Sequence, residues 1–182
     1  MGQIMEKPAE AGELTEAQAQ QGGQYLTFYL QGEMFGLNIL PIKEIIEYGK
    51  VTSVPMVPEY VRGVINLRGN VVPVIDLPVR FGWASSPPNK RTCIVIVEVE
   101  SDQERLDIGI VIDSVSEVLD IEAANIGAAP SFGAKIRTDF IAGMGRVGED
   151  FIVLLNVNKV LSVDELSQLG DVPGADLGGE DA

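Results

Sequence analysis

The chain is a series of short apolar runs separated by turn-forming residues, and this pattern limits its fold more than any other feature. Eight runs have the length and spacing of β-strands: QYLTFYL, MFGLNIL, GVINL, NVVPVIDL, TCIVIVEV, LDIGIVI, AGMGRV and FIVLLNV. None of them approaches the ~18–20 apolar residues that a membrane-spanning helix needs. The pattern predicts an all-β barrel or sandwich, with no direct insertion into a membrane.

The two halves of the chain resemble each other. Residues 35–46 align without gaps on residues 108–119, and residues 60–81 align on residues 140–161. A similarity that occurs only twice suggests duplicated lobes rather than a solenoid. Because each half alone is near the lower size limit for a stable core, we expect two β-barrel lobes, at about 24–85 and 90–169, packed around a shared core.

The ends of the chain differ from this central region. Residues 1–23 are rich in Ala, Glu, Gln and Gly, and residues 170–182 are acidic, so both segments are expected to be disordered tails. Between them, Ser162 and Glu165 have the spacing of a capping box, which predicts a short C-terminal helix up to about residue 169. Pro73 lacks an N–H, so its strand is expected at a sheet edge or at a bulge.

The composition excludes several classes of function. The chain has no histidine and a formal net charge of −14, which disfavours the usual catalytic triads, most zinc sites and binding of nucleic acid. Cys93 stands in an apolar run, as a buried structural thiol does, and a single cysteine suits a reducing compartment. GMGRVG (143–148) matches a dinucleotide fingerprint by letter, but strand-like residues follow it instead of a helix. No cofactor or metal is predicted, and an enzyme or ligand-binding β-barrel is the least favoured interpretation.

Four stretches carry a resemblance to a known family: FGLNILPIKEIIE, VPEYVRGVINLRGNVVPVIDL, DIGIVIDSVSEVLDI and TDFIAGMGRVGEDFIVLLNVNKVL. Together they resemble the CheW family of bacterial chemotaxis coupling proteins, from about residue 24 to residue 169. The resemblance implies two five-stranded β-barrels and a non-enzymatic adaptor. It would link the cytoplasmic tips of methyl-accepting chemoreceptors to the CheW-like domain of the CheA histidine kinase, in cytoplasmic arrays at the inner membrane. A coupling protein of a type IV pilus or another non-flagellar chemosensory system is an alternative.

The resemblance also implies interaction residues. The receptor-facing positions of the family fall on Ile42, Glu44, Gly63, Arg68 and Val118. Apolar side chains in a groove suit a receptor helix, although core packing explains Ile42 and Val118 equally well. The kinase-binding candidates lie in the segment 51–58, at Val51, Val54, Pro55 and Val57.

Arg68 stands at the tip of a predicted hairpin and has three interpretations. It could close the turn, pair with an acid such as Asp76, or be presented to a receptor. The aligned hairpin has Gly148 at this position, so the turn does not require an arginine. The comparison and the family resemblance favour presentation to a receptor.

Overall fold

The computed structural model of the chain describes residues 22–101, 104–128 and 136–161. These ranges contain β1 (Gly22–Leu30), β2 (Glu33–Asn38), β3 (Ile42–Glu47), β4 (Val61–Leu67), β5 (Asn70–Asp76), α1 (Leu77–Arg80), β6 (Cys93–Ser101), β7 (Glu104–Ile112), β8 (Ser114–Glu122), β9 (Ile126–Gly127), β10 (Ile141–Val147), β11 (Asp150–Leu155) and α2 (Val157–Val160). One-turn 3-10 helices at Ala123–Asn125 and Thr138–Phe140 precede β9 and β10. No helix within these ranges is long and apolar enough to cross a membrane. Residues 1–21 of the predicted N-terminal tail, the predicted C-terminal tail and the capping box at 162–165 lie outside the described residues. Gly22 and Gly23, which the prediction assigned to the disordered tail, instead begin β1.

The strands form two sheets. Sheet 1 has the order β8-β1-β2-β11-β10-β9, and sheet 2 has the order β3-β6-β7-β5-β4. We call sheet 1 with α2 lobe 1, and sheet 2 with α1 lobe 2. The prediction of an all-β protein with two lobes is confirmed, and the short strand β9 gives sheet 1 a sixth member. Antiparallel pairs dominate, but β2–β11 and β5–β7 are parallel.

The two lobes do not coincide with the two halves of the chain. The predicted lobes 24–85 and 90–169 would keep β1 and β2 with β3, β4 and β5, whereas the structure places β1 and β2 in sheet 1 with β8, β10 and β11. The first hairpin of each half therefore lies in the sheet that contains the remaining strands of the other half: β1–β2 in sheet 1 and β6–β7 in sheet 2. Because the halves are equivalent, either pairing would satisfy the same strand pattern, and the internal similarity alone could not distinguish them.

Equivalent contacts in both sheets demonstrate the duplication. Gly36 lies beside Leu154 in the parallel pair of sheet 1, and Gly109 lies beside Val74 in that of sheet 2. These four residues are the aligned positions of the internal repeat. The alternation of buried and exposed residues is also the same along β4 and β10, and both strands carry a bulge near their start. The repeat is thus a repeat of structure as well as of sequence.

Three apolar clusters hold the fold together. A small cluster around Tyr25 and Leu154 fills lobe 1, and another around Val72 and Ile96 fills lobe 2. The largest cluster joins the lobes, and neighbouring aromatic rings run through it at Phe28, Phe35, Phe81, Trp83 and Phe140. Since fully burying one such side chain contributes roughly 1.5–3 kcal/mol, the shared core is a large part of the stability of both lobes.

Pro73 lies neither in an edge strand nor at a bulge of its own strand, contrary to the prediction, because the bulge of the β4–β5 pair falls in β4 between Val61 and Gly63. β5 is an interior strand, and Pro73 faces Val64 on β4. The N–H of Val64 donates to the carbonyl of Thr52 at 2.8 Å, and the carbonyl of Val64 accepts the N–H of Thr52 at 2.9 Å. The backbone groups of Val64 therefore do not need a hydrogen bond from Pro73. The pairing of β5 with β7 begins only at Val74. A proline is tolerated here because neither neighbouring strand needs its missing N–H.

The hairpin β4–β5 ends in a short helix instead of a longer strand. Asp76 caps α1, since its carboxylate accepts the N–H of Val79 at 3.1 Å. Asn156 caps α2 in the same way with Lys159. Because Leu77 begins α1, the predicted strand up to that residue is one residue too long.

Candidate functional site

The tip of the β4–β5 hairpin places Arg68 in an uncommon backbone conformation. Arg68 has φ 54° and the next residue, Gly69, has φ 87°, the pair of positive angles of a type I′ turn. The side chain of Asn66 supports the turn by accepting the N–H of Gly69 at 2.8 Å. Gly148 at the equivalent turn also has a positive φ, of 64°. The turn therefore favours glycine, and an arginine in this position needs another explanation.

That explanation begins with an ion pair between Arg68 and Glu44. The Nη1 and Nη2 atoms of Arg68 donate to the two carboxylate oxygens of Glu44 at 2.6 and 2.9 Å, and the Arg68 side chain is 70% exposed. Bonding to the guanidinium lowers the pKa of Glu44 and raises the pKa of Arg68. β3 and β4 are opposite edges of sheet 2, so this pair joins the two edges of a curled sheet.

The alternative partner considered for Arg68 is bonded elsewhere. Asp76 is 2% exposed and accepts the Nε–H of Arg62 at 3.0 Å and the hydroxyl of Ser85 at 2.7 Å. Arg62 also donates to the hydroxyl of Tyr48 and to the carbonyl of Ser86. This network fastens the segment that follows α1 to lobe 2, so Asp76 has a structural role and does not pair with Arg68.

The other predicted receptor positions lie in three different places. Ile42 is half-buried at the start of β3 and packs against the shared core, two residues before Glu44. Val118 is 51% exposed on β8, the edge strand of the other sheet. Gly63 lies in β4, where a Cβ would be 2.1 Å from the carbonyl oxygen of Thr52. Glu44 and Arg68 are thus in direct contact, whereas Val118 belongs to the other lobe.

The kinase-binding candidates divide between a core and an open groove. Val51 packs against the small cluster inside lobe 2, and Pro55 is exposed. Val54 and Val57 line a groove of about 580 Å³ on lobe 2. We call it the valine groove; its apolar lining includes Val54, Val57, Val64, Val71, Pro73 and Leu106.

Charged side chains surround the valine groove. Lys43 pairs with Asp107 at 3.1 Å, and Arg105 lies 3.8 Å from Glu98. Lys43 is followed directly by Glu44, so the groove and the Arg68–Glu44 pair are contiguous along β3. The lining is apolar and the rim is charged, as in protein–protein contacts that have an apolar centre and a polar border.

Lobe 1 has a smaller groove at the equivalent place. Met144 and Phe151 line it together with Ile126, and its volume is about 450 Å³. Met144 is the repeat counterpart of Val64, and Phe151 is that of Val71; Val71 and Phe151 are 71% and 63% exposed. The sequence-based prediction missed these residues, although NVVPV contained a signal: two successive apolar residues in a strand point to opposite faces, so one must leave the core.

These features define a class of protein: an all-β scaffold with two related lobes and exposed surfaces suited to protein contacts. Residues 24–165 match the family model of the CheW-like domain. The chemotaxis protein CheW of Klebsiella aerogenes is 35% identical over 151 residues, which cover 83% of this chain and 89% of that protein. The crystal structure of the scaffolding protein TtCheW from Thermoanaerobacter tengcongensis aligns with a TM-score of 0.71 at 30% identity, covering 80% of this chain and 96% of that one.

The chain therefore belongs to the CheW family, the chemotaxis coupling adaptors, as the sequence motifs predicted. A similarity to the protein PilI of Pseudomonas aeruginosa is more limited, at 29% identity over 107 residues, which cover 58% of this chain and 57% of PilI.

Proposed function

We propose that the chain is a non-enzymatic adaptor that couples the cytoplasmic tips of methyl-accepting chemoreceptors to the CheA histidine kinase. It would act in the cytoplasm, at receptor arrays on the inner membrane. The observation that carries this proposal is the contiguity of two surfaces along β3, where Lys43 borders the valine groove and the next residue, Glu44, bonds Arg68. An adaptor needs such adjacent sites because one partner has to influence the other.

The Arg68–Glu44 surface suits the receptor. The Arg68 guanidinium is exposed, and a planar fork of donors can bond a carboxylate or the free carbonyls at a helix end. Ile42 lies on the same strand and adds apolar area, as a groove for an amphipathic helix requires. Val118 would extend the contact onto lobe 1.

The valine groove suits the CheW-like domain of the kinase. Val71 is 71% exposed at the groove, and Val54 and Val57 line it. An apolar surface of this kind is matched best by another β-lobe that hides its own strand ends and hairpin residues. Val54 and Val57 are therefore the better kinase-binding candidates, while Val51 supports them from the core.

Gel filtration and a kinase assay test the proposal. The purified chain is mixed with the kinase and a receptor cytoplasmic fragment, and we expect the three to elute together and receptor-dependent autophosphorylation to appear. Val71→Glu should abolish kinase binding and leave receptor binding intact, whereas Arg68→Ala should do the reverse. Lys90→Glu, an exposed charge change outside both surfaces, is the control.

Failure of the wild-type chain to bind either partner, or to change autophosphorylation, would refute the adaptor function. Parallel assays with the kinase and receptor of a pilus-associated chemosensory system test the alternative that the PilI similarity raises. If the chain couples only the receptor and kinase of the pilus-associated system, the proposed adaptor function applies to that system.

A further inference from the structure

Arg80, the last residue of α1, lies where the two lobes meet. Its Nε–H donates to the carbonyl of Val160, in α2 of lobe 1, at 2.8 Å. Its guanidinium carbon lies 4.8 Å from the ring centroid of Tyr60, in lobe 2, and 4.9 Å from that of Phe140, in lobe 1. One side chain of lobe 2 therefore contacts an aromatic ring of each lobe and bonds the backbone of lobe 1.

The residues around Arg80 are related by the internal repeat. Tyr60 and Phe140 are equivalent: the carbonyl of Tyr60 accepts the N–H of Asp76 at 2.7 Å, and that of Phe140 accepts the N–H of Asn156 at 2.8 Å. Val160 is the counterpart of Arg80 itself. Arg80 thus bonds its own repeat counterpart across the junction between the lobes. Because a valine side chain has no N–H group, Val160 cannot make the equivalent bond back to lobe 2.

The chemistry of this contact differs from that of the core around it. The shared core joins the lobes through apolar and aromatic side chains, and apolar attraction is non-directional. The bond from Arg80 to Val160 has a direction, and a guanidinium held over two rings is restricted in both position and tilt. Arg80 therefore adds a directional contact between the lobes to the apolar packing that joins them.

We infer that Arg80 is a positioning residue that fixes the orientation of the two lobes and so permits one receptor to engage both. This inference rests on the proposed function, because the proposed receptor contacts are divided between the lobes: Glu44 and Arg68 lie on sheet 2, and Val118 lies on sheet 1. The valine groove lies within lobe 2 alone. Receptor binding should therefore depend on the lobe orientation, and binding of the kinase domain should not.

Three variants separate positioning from general stability. Arg80→Met keeps the length and apolar contacts of the side chain but removes the guanidinium, and Arg80→Lys restores a charge and one donor. Arg137→Met is the matched control, because Arg137 also lies over the Phe140 ring, at 4.6 Å, but within lobe 1 and next to its partner Asp139. Thermal unfolding identifies any variant that does not fold.

The first measurement compares two affinities. For Arg80→Met we expect the dissociation constant of a receptor cytoplasmic fragment to rise about tenfold and that of the isolated CheW-like kinase domain to change less than about twofold. Arg80→Lys should recover part of the loss, and Arg137→Met should leave both constants unchanged. Equal losses for both partners, or no loss for the receptor, would overturn the inference.

The second measurement uses no partner. Spin labels are attached at Glu47→Cys on sheet 2 and at Glu122→Cys on sheet 1, in a Cys93→Ser background. Pulsed electron paramagnetic resonance then measures the distance between the two labels and so between the lobes. We expect the distance distribution to broaden in Arg80→Met and to stay narrow in Arg137→Met. An unchanged distance distribution in Arg80→Met refutes the positioning role even if the chain couples receptors and kinase. Failure of the wild-type chain to bind either partner refutes the proposed function, but it does not affect the distance measurement.

Discussion

The guanidinium of Arg68 and the carboxylate of Glu44 meet across the gap between the two edges of sheet 2, through hydrogen bonds of 2.6 and 2.9 Å. The pair holds an exposed arginine in place at a turn that favours glycine. The ion pair and the local backbone preference therefore conflict at this position, and the conflict can be measured.

Replacing Arg68 by glycine should separate coupling from stability. Arg68→Gly relieves the positive φ, whereas Arg68→Ala keeps a Cβ in that conformation, so the glycine variant should melt about 2–4 °C above the alanine variant. Both should lose receptor binding, because both lack the guanidinium. Calorimetry and a receptor pull-down provide the two readouts, and equal midpoints for the two variants would contradict the strain at this turn.

The ion pair should be visible in the titration of Glu44. Its pKa lies below the ordinary value for glutamate because Arg68 donates to the charged carboxylate. The pair therefore contributes while the pH is above the unfolded-state pKa, and its contribution is lost as the pH falls through the lowered folded-state value. Carbon-detected NMR of the side-chain carboxyl should show a lower midpoint in the wild type than in Arg68→Ala. A midpoint that does not move would mean that the pair is not formed in solution.

Much of the fold was predictable from the sequence, because the buried strands repeat a strong apolar pattern. β3 and β8 were not among the predicted strands, since both are edge strands with charged residues between their apolar ones. These two strands carry Ile42, Glu44 and Val118. The family motifs predicted receptor contacts at these positions, but the residue pattern alone could not place them on strands.

Two further features depend on tertiary contacts that no local pattern reveals. The exchange of hairpins between the halves is set by packing across the shared core. The position of Arg80 depends on Tyr60 and its counterpart Phe140, which are far apart in sequence, both lying next to the same guanidinium. The partner of Arg68 was missed for the same reason, because Glu44 reaches it only when sheet 2 curls.

Gly63 should be irreplaceable for a structural reason. A Cβ at this position would lie 2.1 Å from the backbone oxygen of Thr52, and the φ of 150° is rare for other residues. Gly63→Ala should therefore cost about 3 kcal/mol or more in the free energy of unfolding, measured by urea denaturation.

A second glycine provides the control for this experiment. A Cβ added at Gly127, in β9, would have no heavy atom of the described residues within 4 Å, so Gly127→Ala should change the same free energy by less than about 0.5 kcal/mol. A stable Gly63→Ala variant that fails to bind receptor would show instead that Gly63 acts at the receptor surface.

The buried pair of Arg62 and Asp76 should tolerate no loss of charge. Asp76→Asn keeps a cap for α1, as Asn156 does for α2, but leaves Arg62 without a charged partner, so we expect a loss of about 2–4 kcal/mol. Asp76→Ala also removes the cap and should cost about 1 kcal/mol more. Urea unfolding of both variants measures the difference, and a neutral Asp76→Asn would show that the ionic character of the network is dispensable.

The exchanged hairpins also determine how the protein can assemble while it is being synthesised. Sheet 2 is formed by one uninterrupted stretch, β3 to β7, and is complete once Ile112 has left the ribosome. β1 and β2 emerge earlier but stay without their neighbours until β8 and β11 follow, because Phe35 pairs with Val153. Contacts so distant in sequence slow folding. We therefore expect β1 and β2 to be among the last of the described strands to reach their final place, and their apolar surface to stay accessible to chaperones until β8 and β11 follow.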